Sequence, residues 1–266
     1  MNNLIFGSDS DDENWVFLDP ANDDPFIFIG QDMQNKRLLG SVRTTDDLGV
    51  IRALEAGADI EARTFRGNDD TALTLAANQN NMALVQILLD RGARVQAVNN
   101  SGRSALSYAA MHGNTYMAKE LIRRGAPLDH RDILLEYTPL AFAALCNHVE
   151  VARILLDCGA NIESRDMFGL TPFLIAANNR KIEMVDFLVQ RGADIQAREK
   201  EGCNALALTA PYQPIYMVHH LIQLGVNVNV QDISGNSCAW KLVTIDFRDQ
   251  ESVKDHIKAL LDNGLD

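Results

Sequence analysis

Apolar positions along most of this chain recur in two alternating short blocks. The first lies behind a hydroxyl or amide side chain and is rich in Ala and Leu. It reads Thr-Ala-Leu-Thr-Leu-Ala-Ala at 71–77, Ser-Ala-Leu-Ser-Tyr-Ala-Ala at 104–110, Thr-Pro-Leu-Ala-Phe-Ala-Ala at 138–144 and Thr-Pro-Phe-Leu-Ile-Ala-Ala at 171–177. Weaker copies are Asn-Ala-Leu-Ala-Leu-Thr-Ala at 204–210 and Ser-Cys-Ala-Trp-Lys-Leu-Val at 237–243. Successive copies start 33, 34, 33, 33 and 33 residues apart. The second block places apolar residues at helical spacing, as at Val149, Val151, Ile154, Leu155 and Leu156, or Ile182, Val185, Phe187, Leu188 and Val189. It closes on a glycine, at Gly57, Gly92, Gly125, Gly159, Gly192, Gly225 and, late, Gly264. Two landmarks locked to one period define a repeat architecture.

Each landmark has a local reason. A Thr, Ser or Asn side chain accepts a hydrogen bond from an orphan N–H at a helix start, and Pro139 and Pro172 stand at the first helical position, where proline is tolerated. The Ala-Ala pair one turn later leaves room for neighbouring first helices to approach. Gly159 and Gly192 follow the last turn of the second helix, where a left-handed residue is needed. The segments 160–166 and 193–198 then carry the chain through an extended turn to the next unit.

This combination resembles the ankyrin repeat family, whose unit of about 33 residues is a β-turn and two helices with a Thr-Pro-Leu-His-x-Ala signature. The resemblance covers roughly residues 38–266 and implies an all-α solenoid of helix-turn-helix units joined by β-turn fingers. An N-terminal arm, 1–35, precedes a repeat domain, 36–266. Seven units are expected at about 36–63, 64–98, 99–131, 132–165, 166–198, 199–231 and 232–266, the first and last being degenerate caps. Residues 32–45 supply the first helix. The second unit has a longer finger at 66–70, and Pro211 and Pro214 replace the usual connection in the sixth, so its first helix ends by Ala210. The last unit inserts about six residues around 246–251 before a helix over 253–261.

Charge sets the arm apart. Residues 1–35 carry eight acids (Asp9, Asp11, Asp12, Glu13, Asp19, Asp23, Asp24 and Asp32) and no Lys or Arg, leaving 28 acids against 24 bases elsewhere and a net charge of −12 overall. Such a chain repels phosphate backbones, so nucleic-acid binding is not expected. The β-prone runs at 15–18 and 25–29, separated by turn formers, predict a hairpin or two extended segments. Three roles stand open for the arm: a cap on the first unit, an acidic aromatic docking or autoinhibitory segment, or disorder.

Cys146, Cys158, Cys203 and Cys238 show no CxxC and no disulfide-like spacing, which suits reduced thiols inside a cell. No apolar run reaches the roughly 18 residues of a membrane span, and no secretory signal opens the chain, so neither membrane insertion nor secretion is expected. The expected compartment is cytoplasm or nucleus, or host cytoplasm for a protein delivered by a bacterium.

No catalytic constellation stands out. His112 and His148 fall between paired helices, His130 in a finger, His219 and His220 within a helix and His256 in the last unit, none at a metal-ligand spacing. No GxxxxGK[ST], GxGxxG or GxSxG occurs. The expectation is no enzyme, no metal and no cofactor.

The resemblance implies binding through finger tips and the exposed ends of first helices. Those places are polar in the third unit (Asn100, Ser101, Arg103, Met111, His112) but apolar in the fourth, at Ile133, Leu134, Leu135, Tyr137, Leu145 and Cys146, where the finger glycine is missing. The fifth offers Met167, Phe168 and Leu170 beside Asn178 and Asn179, and the sixth Lys200, Glu201, Cys203 and Tyr212. Ile133, Leu134, Leu135, Tyr137, Leu145, Met167, Phe168, Leu170 and Tyr212 are therefore the candidate partner-binding residues. The competing expectation is that Ile133 and Leu135 tuck inward, leaving Leu134 and Tyr137 outside. Two functions stand: an adaptor, inhibitor or scaffold capturing a protein partner at repeats four and five, or a switch or assembly module whose acidic arm occupies that surface. A monomer is expected, with oligomerisation through the arm as the alternative. Family members carry hydroxylated asparagines before the Ala leading into a finger; here that place holds Glu61, Gln96, Asp129, Glu163, Gln196 and Asn229, so Asn229 alone fits.

Overall fold

The computed structural model describes residues 15–18, 25–28, 30–64, 67–209, 215–237 and 250–265. The chain divides into two compact units, Met1–Ala105 and Leu106–Asp266. In the first, β1 (Trp15–Leu18) pairs antiparallel with β2 (Pro25–Phe28), the hairpin branch of the sequence expectation. Helices α1 (Gly30–Arg43), α2 (Asp47–Glu55), α3 (Ala72–Asn78) and α4 (Met82–Asp90) follow. The second unit holds α5 (Ala105–His112) from Leu106 onward, then α6 (Thr115–Arg123), α7 (Pro139–Cys146) and α8 (Val149–Asp157). Its later helices are α9 (Pro172–Asn178), α10 (Ile182–Gln190), α11 (Ala205–Thr209), α12 (Ile215–Gln223) and α13 (Gln250–Asp262). The last helix is longer than the expected 253–261 because its first turn begins within the inserted stretch. Residues 65–66, 210–214 and 238–249, which include Pro211, Tyr212, Pro214 and most of the seventh unit's first helix and insertion, lie outside the described residues.

Helices of seven to nine residues are too short to persist alone, so each pair needs a neighbour to cover its apolar face. In the first unit α3 packs on α1 and α4 on α2; in the second α7, α9 and α11 form one layer and α6, α8 and α10 another. The second helices bury the same three positions in the second to sixth repeats: Leu84, Val85 and Leu88; Met117, Ala118 and Leu121; Val151, Ala152 and Leu155; Met184, Val185 and Leu188; Met217, Val218 and Leu221. Each fully buried Leu or Val in that set contributes roughly 1.5–3 kcal/mol. On the first helices the Ala-Ala pairs at 76–77, 109–110, 143–144 and 176–177 have no exposed surface at all.

Thr71, Thr138, Thr171 and Asn204 cap the first helices, each side chain accepting from the N–H three residues on. Asn81 and Asn114 do the same for α4 and α6. The second helices end in paired reversed bonds: Gly192 N–H donates to Val189 and Ala193 N–H to Leu188, with Gly192 at φ +89°. The first helices end the same way, on the Ala-Ala carbonyls in the second to fifth repeats and on those of Ser41 and Val42 in the first. There the left-handed residue is Gly113 in one repeat but Thr45, Asn80, Asn147 and Arg180 in others.

A side chain one place before the finger ties several repeats to the next. Glu61 accepts from the Arg94 N–H at 2.8 Å, Asp129 from Asn161 at 3.0 Å, Glu163 from Asp194 at 2.8 Å and Gln196 from Asn227 at 3.0 Å. Asn229, the one residue fitting the hydroxylation pattern, donates to the Gly264 carbonyl at 2.8 Å.

Arg180, exposed and at φ +60°, is strained where glycine is not. Arg180→Gly is expected to raise the unfolding free energy by up to about 1 kcal/mol, and Gly192→Ala to lower it by about 1 kcal/mol or more, both measured by chemical denaturation.

Candidate partner-binding fingers

Every described finger from the third onward is organised by one acceptor side chain at its start. Asn99 accepts from the N–H groups of Ser101 and Arg103, Asp132 from Leu135 and Tyr137, and Asp166 from Phe168 and Leu170. Glu199 accepts from Glu201 and Cys203, and Asp232 from Ser234 and Asn236. The turn closes when the N–H of the acceptor residue donates back to the carbonyl four residues on, as Asp166 does to Leu170. The fourth finger closes one residue later, from Asp132 to Tyr137, which is its insertion in three dimensions. Glu136 takes the left-handed place of the missing glycine at φ +58°, held by Arg131 at 2.9 Å.

Backbone bonds join the tips. The Leu135 carbonyl accepts from Met167 N–H at 2.9 Å, that of Phe168 from Lys200 at 2.9 Å and that of Glu201 from Ile233 at 2.8 Å. Arginines add a second tie. The Arg165 guanidinium donates to the carbonyls of Gly169 at 2.8 Å and Arg198 at 2.7 Å, and Arg198 in turn donates to those of Gly202 and Gln231. Arg63 repeats the arrangement in the first unit, on Asp69 and Val98. With these backbone groups bonded within and between the fingers, side chains at the first two tip positions of the fourth and fifth are left exposed.

In the fourth and fifth fingers those positions are apolar. Ile133 is 69% exposed, Leu134 55%, Phe168 50% and Met167 38%. Leu135, Leu145 and Leu170 are half-buried. Ile133 does not tuck inward, because the longer turn carries it past the finger's inner face.

Tyr137 is a correction: it is expected at the surface, and the structure buries it. Its ring meets Phe142 edge-on, with centroids 5.3 Å apart, and lies close enough to Asp166 and Asp132 to feel both carboxylates. Burial first, then those two charges, push its hydroxyl above the usual tyrosine value. The reason is register: Tyr137 closes the turn and stands next to the buried cap Thr138, so the inserted residue displaces the tip and leaves the base in place. Tyr212 lies outside the described residues. Ile233 was missed by sequence reasoning, yet it is 77% exposed and follows Asp232 as Met167 follows Asp166, so the acceptor's register was the signal that could have found it.

His148, His220 and Cys146 take part in packing between helices. His148 donates to or accepts from nothing acidic; its Nε2 sits 3.0 Å from the Met111 carbonyl, with the ring filling the space beside Gly113. His220 Nε2 meets Asp186 Oδ1 at 2.7 Å, a pairing 34 residues apart in sequence. Burial raises the Cys146 thiol, opposed by nearby Lys181. Among the described residues no three His, Cys, Asp or Glu side chains are grouped to hold a metal, and no helix is long and apolar enough to cross a membrane.

A family model described as ankyrin repeats (3 copies) matches residues 42–132 and 140–232. An ankyrin repeat and KH domain-containing protein of Caenorhabditis briggsae is 34% identical over 110 residues, 41% of this chain and 4% of that protein. A probable E3 ubiquitin-protein ligase of rice, XBOS33, is 28% identical over 128 residues, 48% of this chain and 25% of that one. The chain thus spans a quarter or less of either relative. The crystal structure of the human ASB11 ankyrin repeat domain superposes with a TM-score of 0.71 at 22% identity, covering 85% of this chain and 96% of that one, which establishes the fold alone.

Two outcomes follow from the finger geometry. Tyr137→Ala is expected to lose about 3 kcal/mol of stability, as buried aromatics do, whereas Phe168→Glu is expected to lose less than about 1 kcal/mol; thermal or chemical melts distinguish them. Burial outweighs three backbone hydrogen bonds and Lys200 in raising the Asp166 carboxyl above its usual value. A raised folded value means its contribution is full below the ordinary carboxyl range and is lost as pH rises through the raised value. Asp166→Asn keeps an acceptor for Phe168 and Leu170, as Asn99 does for its own finger, and is expected to flatten the fall in stability as pH rises above the ordinary carboxyl range.

Proposed function

The chain belongs to the ankyrin repeat family, and from that premise we propose that it captures a protein partner across its fourth and fifth fingers, as an adaptor, inhibitor or scaffold. Protein interaction is the coarse function of such repeats. The finer placement rests on one observation: Ile133, Leu134, Met167 and Phe168 stand exposed on adjoining fingers whose backbones are tied together by the Leu135–Met167 bond. Neighbouring exposed apolar side chains on a fixed frame mark interaction surface more often than inert surface. Rigid fingers also reduce the ordering cost of binding. Binding rather than catalysis is the reading, with Leu135, Leu145 and Leu170 as the half-buried floor around the tips.

The N-terminal arm remains a candidate cap. Its hairpin ends at Phe28, directly before α1, the first helix of the degenerate first repeat.

Affinity capture with the full chain, followed by titration of a recovered partner, tests the placement. Leu134→Glu and Phe168→Glu are expected to weaken binding about thirtyfold, or 2 kcal/mol, while Asn100→Ala and Ser101→Ala leave it within about twofold. Undiminished binding by both folded glutamate variants would place the surface elsewhere.

A further inference from the structure

The second helix of every repeat runs into a left-handed glycine, and the residue before that glycine is Ala56, Arg91, Arg124, Cys158, Arg191 or Leu224 in the first six. In the seventh it is Asn263, which makes Asn263–Gly264 the one Asn-Gly step in the sequence. Such a step carries its own chemistry. The glycine amide nitrogen attacks the asparagine Cγ, forming a five-membered imide as ammonia leaves with the proton of that nitrogen. Water then opens the ring at either carbonyl, giving aspartate or isoaspartate, whose main chain runs through the former side chain. Nothing is oxidised or reduced, and water is the sole co-reactant. A side chain on the attacking residue hinders the first step, as at Asn100–Ser101 and Asn236–Ser237, whereas glycine has no Cβ to interfere.

The fold holds both reacting groups in bonds that oppose the attack. The Asn263 side-chain amide donates from Nδ2 to the Ala259 carbonyl at 2.8 Å, and the Gly264 N–H donates to the Leu261 carbonyl at 3.1 Å. From the sixth repeat, Asn229 Nδ2 donates to the Gly264 carbonyl at 2.8 Å, so the attacking residue is also tied to a neighbour. Yet the site meets water. Leu261, Asp262, Asn263 and Gly264 are all exposed, and a Cβ placed on Gly264 would meet nothing within 4 Å. Three hydrogen bonds at the exposed end of α13 therefore stand between this pair and its reaction, and local openings of this kind cost far less than global unfolding.

Either product removes what protected the step. The acid has lost the Nδ2 donor to Ala259, and it sets a carboxylate against the negative end of the α13 dipole. Isoaspartate also lengthens the main chain by a methylene before Gly264, which carries the Gly264 carbonyl away from Asn229.

We propose that Asn263–Gly264 is a spontaneous modification site, gated by opening of the α13 terminus, whose conversion to an acid irreversibly loosens the seventh repeat from the sixth.

The test follows the full chain at neutral pH and body temperature, folded and in denaturant. Conversion is read as the amide-to-acid mass gain of the peptide containing residues 263 and 264, and as isoaspartate-specific methylation. Expected are conversion at least about tenfold slower in the folded than in the unfolded chain, about threefold or more faster in folded Asn229→Ala than in the folded parent, and near absence in unfolded Asn263→Gln. The converted form, separated by its added negative charge, and the Asn263→Asp variant are expected to exchange α13 amide hydrogens severalfold faster, with α8 and α10 unchanged. Equal rates in folded and unfolded chain, or an unchanged rate in Asn229→Ala, overturn the gating. Absence of conversion in the unfolded parent over weeks overturns the site itself. A converted chain whose α13 amides exchange as slowly as those of the parent overturns the loosening.

Discussion

Closing short helices onto their neighbours is the constraint on which everything else in this structure depends. Seven to nine residues form too few internal hydrogen bonds to offset the ordering of the chain, so neither helix of a pair survives unless its apolar face is covered and its ends are capped. The answer is the same in the second to fifth repeats. Two small residues let first helices approach, three buried positions on the second helix fill the gap, and a left-handed residue turns the chain at both helix ends. Where the sequence departs from glycine at that turn, as at Asn80 and Arg180, the conformation is kept because the Ala-Ala carbonyls need their donors.

The fingers inherit this regularity and depart from it usefully. An acceptor side chain at the base satisfies the loop's own N–H groups, arginines satisfy its carbonyls, and backbone bonds join tip to tip. A loop so saturated has little further use for its tip side chains in folding, and they are free to vary in chemistry. In the fourth finger one inserted residue widens the turn, so Ile133 and Leu134 project while Tyr137 falls back onto Phe142. The same saturation turns Asp132 and Asp166 inward and leaves neighbouring cations outside.

Much of this was legible in the sequence, because it follows from local rules repeated at a fixed interval. The cap at Thr138, the proline after it, the buried Ala143 and Ala144 and the left-handed Gly159 each obey a constraint acting within a few residues, and a period of 33 announces that identical neighbours cover the apolar faces. The apolar character of fingers four and five was equally visible, as was the missing glycine that Glu136 replaces. What tertiary structure alone decided is which way side chains face when the local pattern is broken. Tyr137 looked like a tip residue by position, but the insertion moved the tip away from it and left its ring against Phe142. Ile233 escaped notice because its exposure depends on the register set by Asp232, and the partners Asp186 and His220 meet only because stacking brings positions 34 residues apart into contact. Periodicity in the chain fixes what each residue does for its own helix; only the stacked neighbours determine what is left over to face a partner.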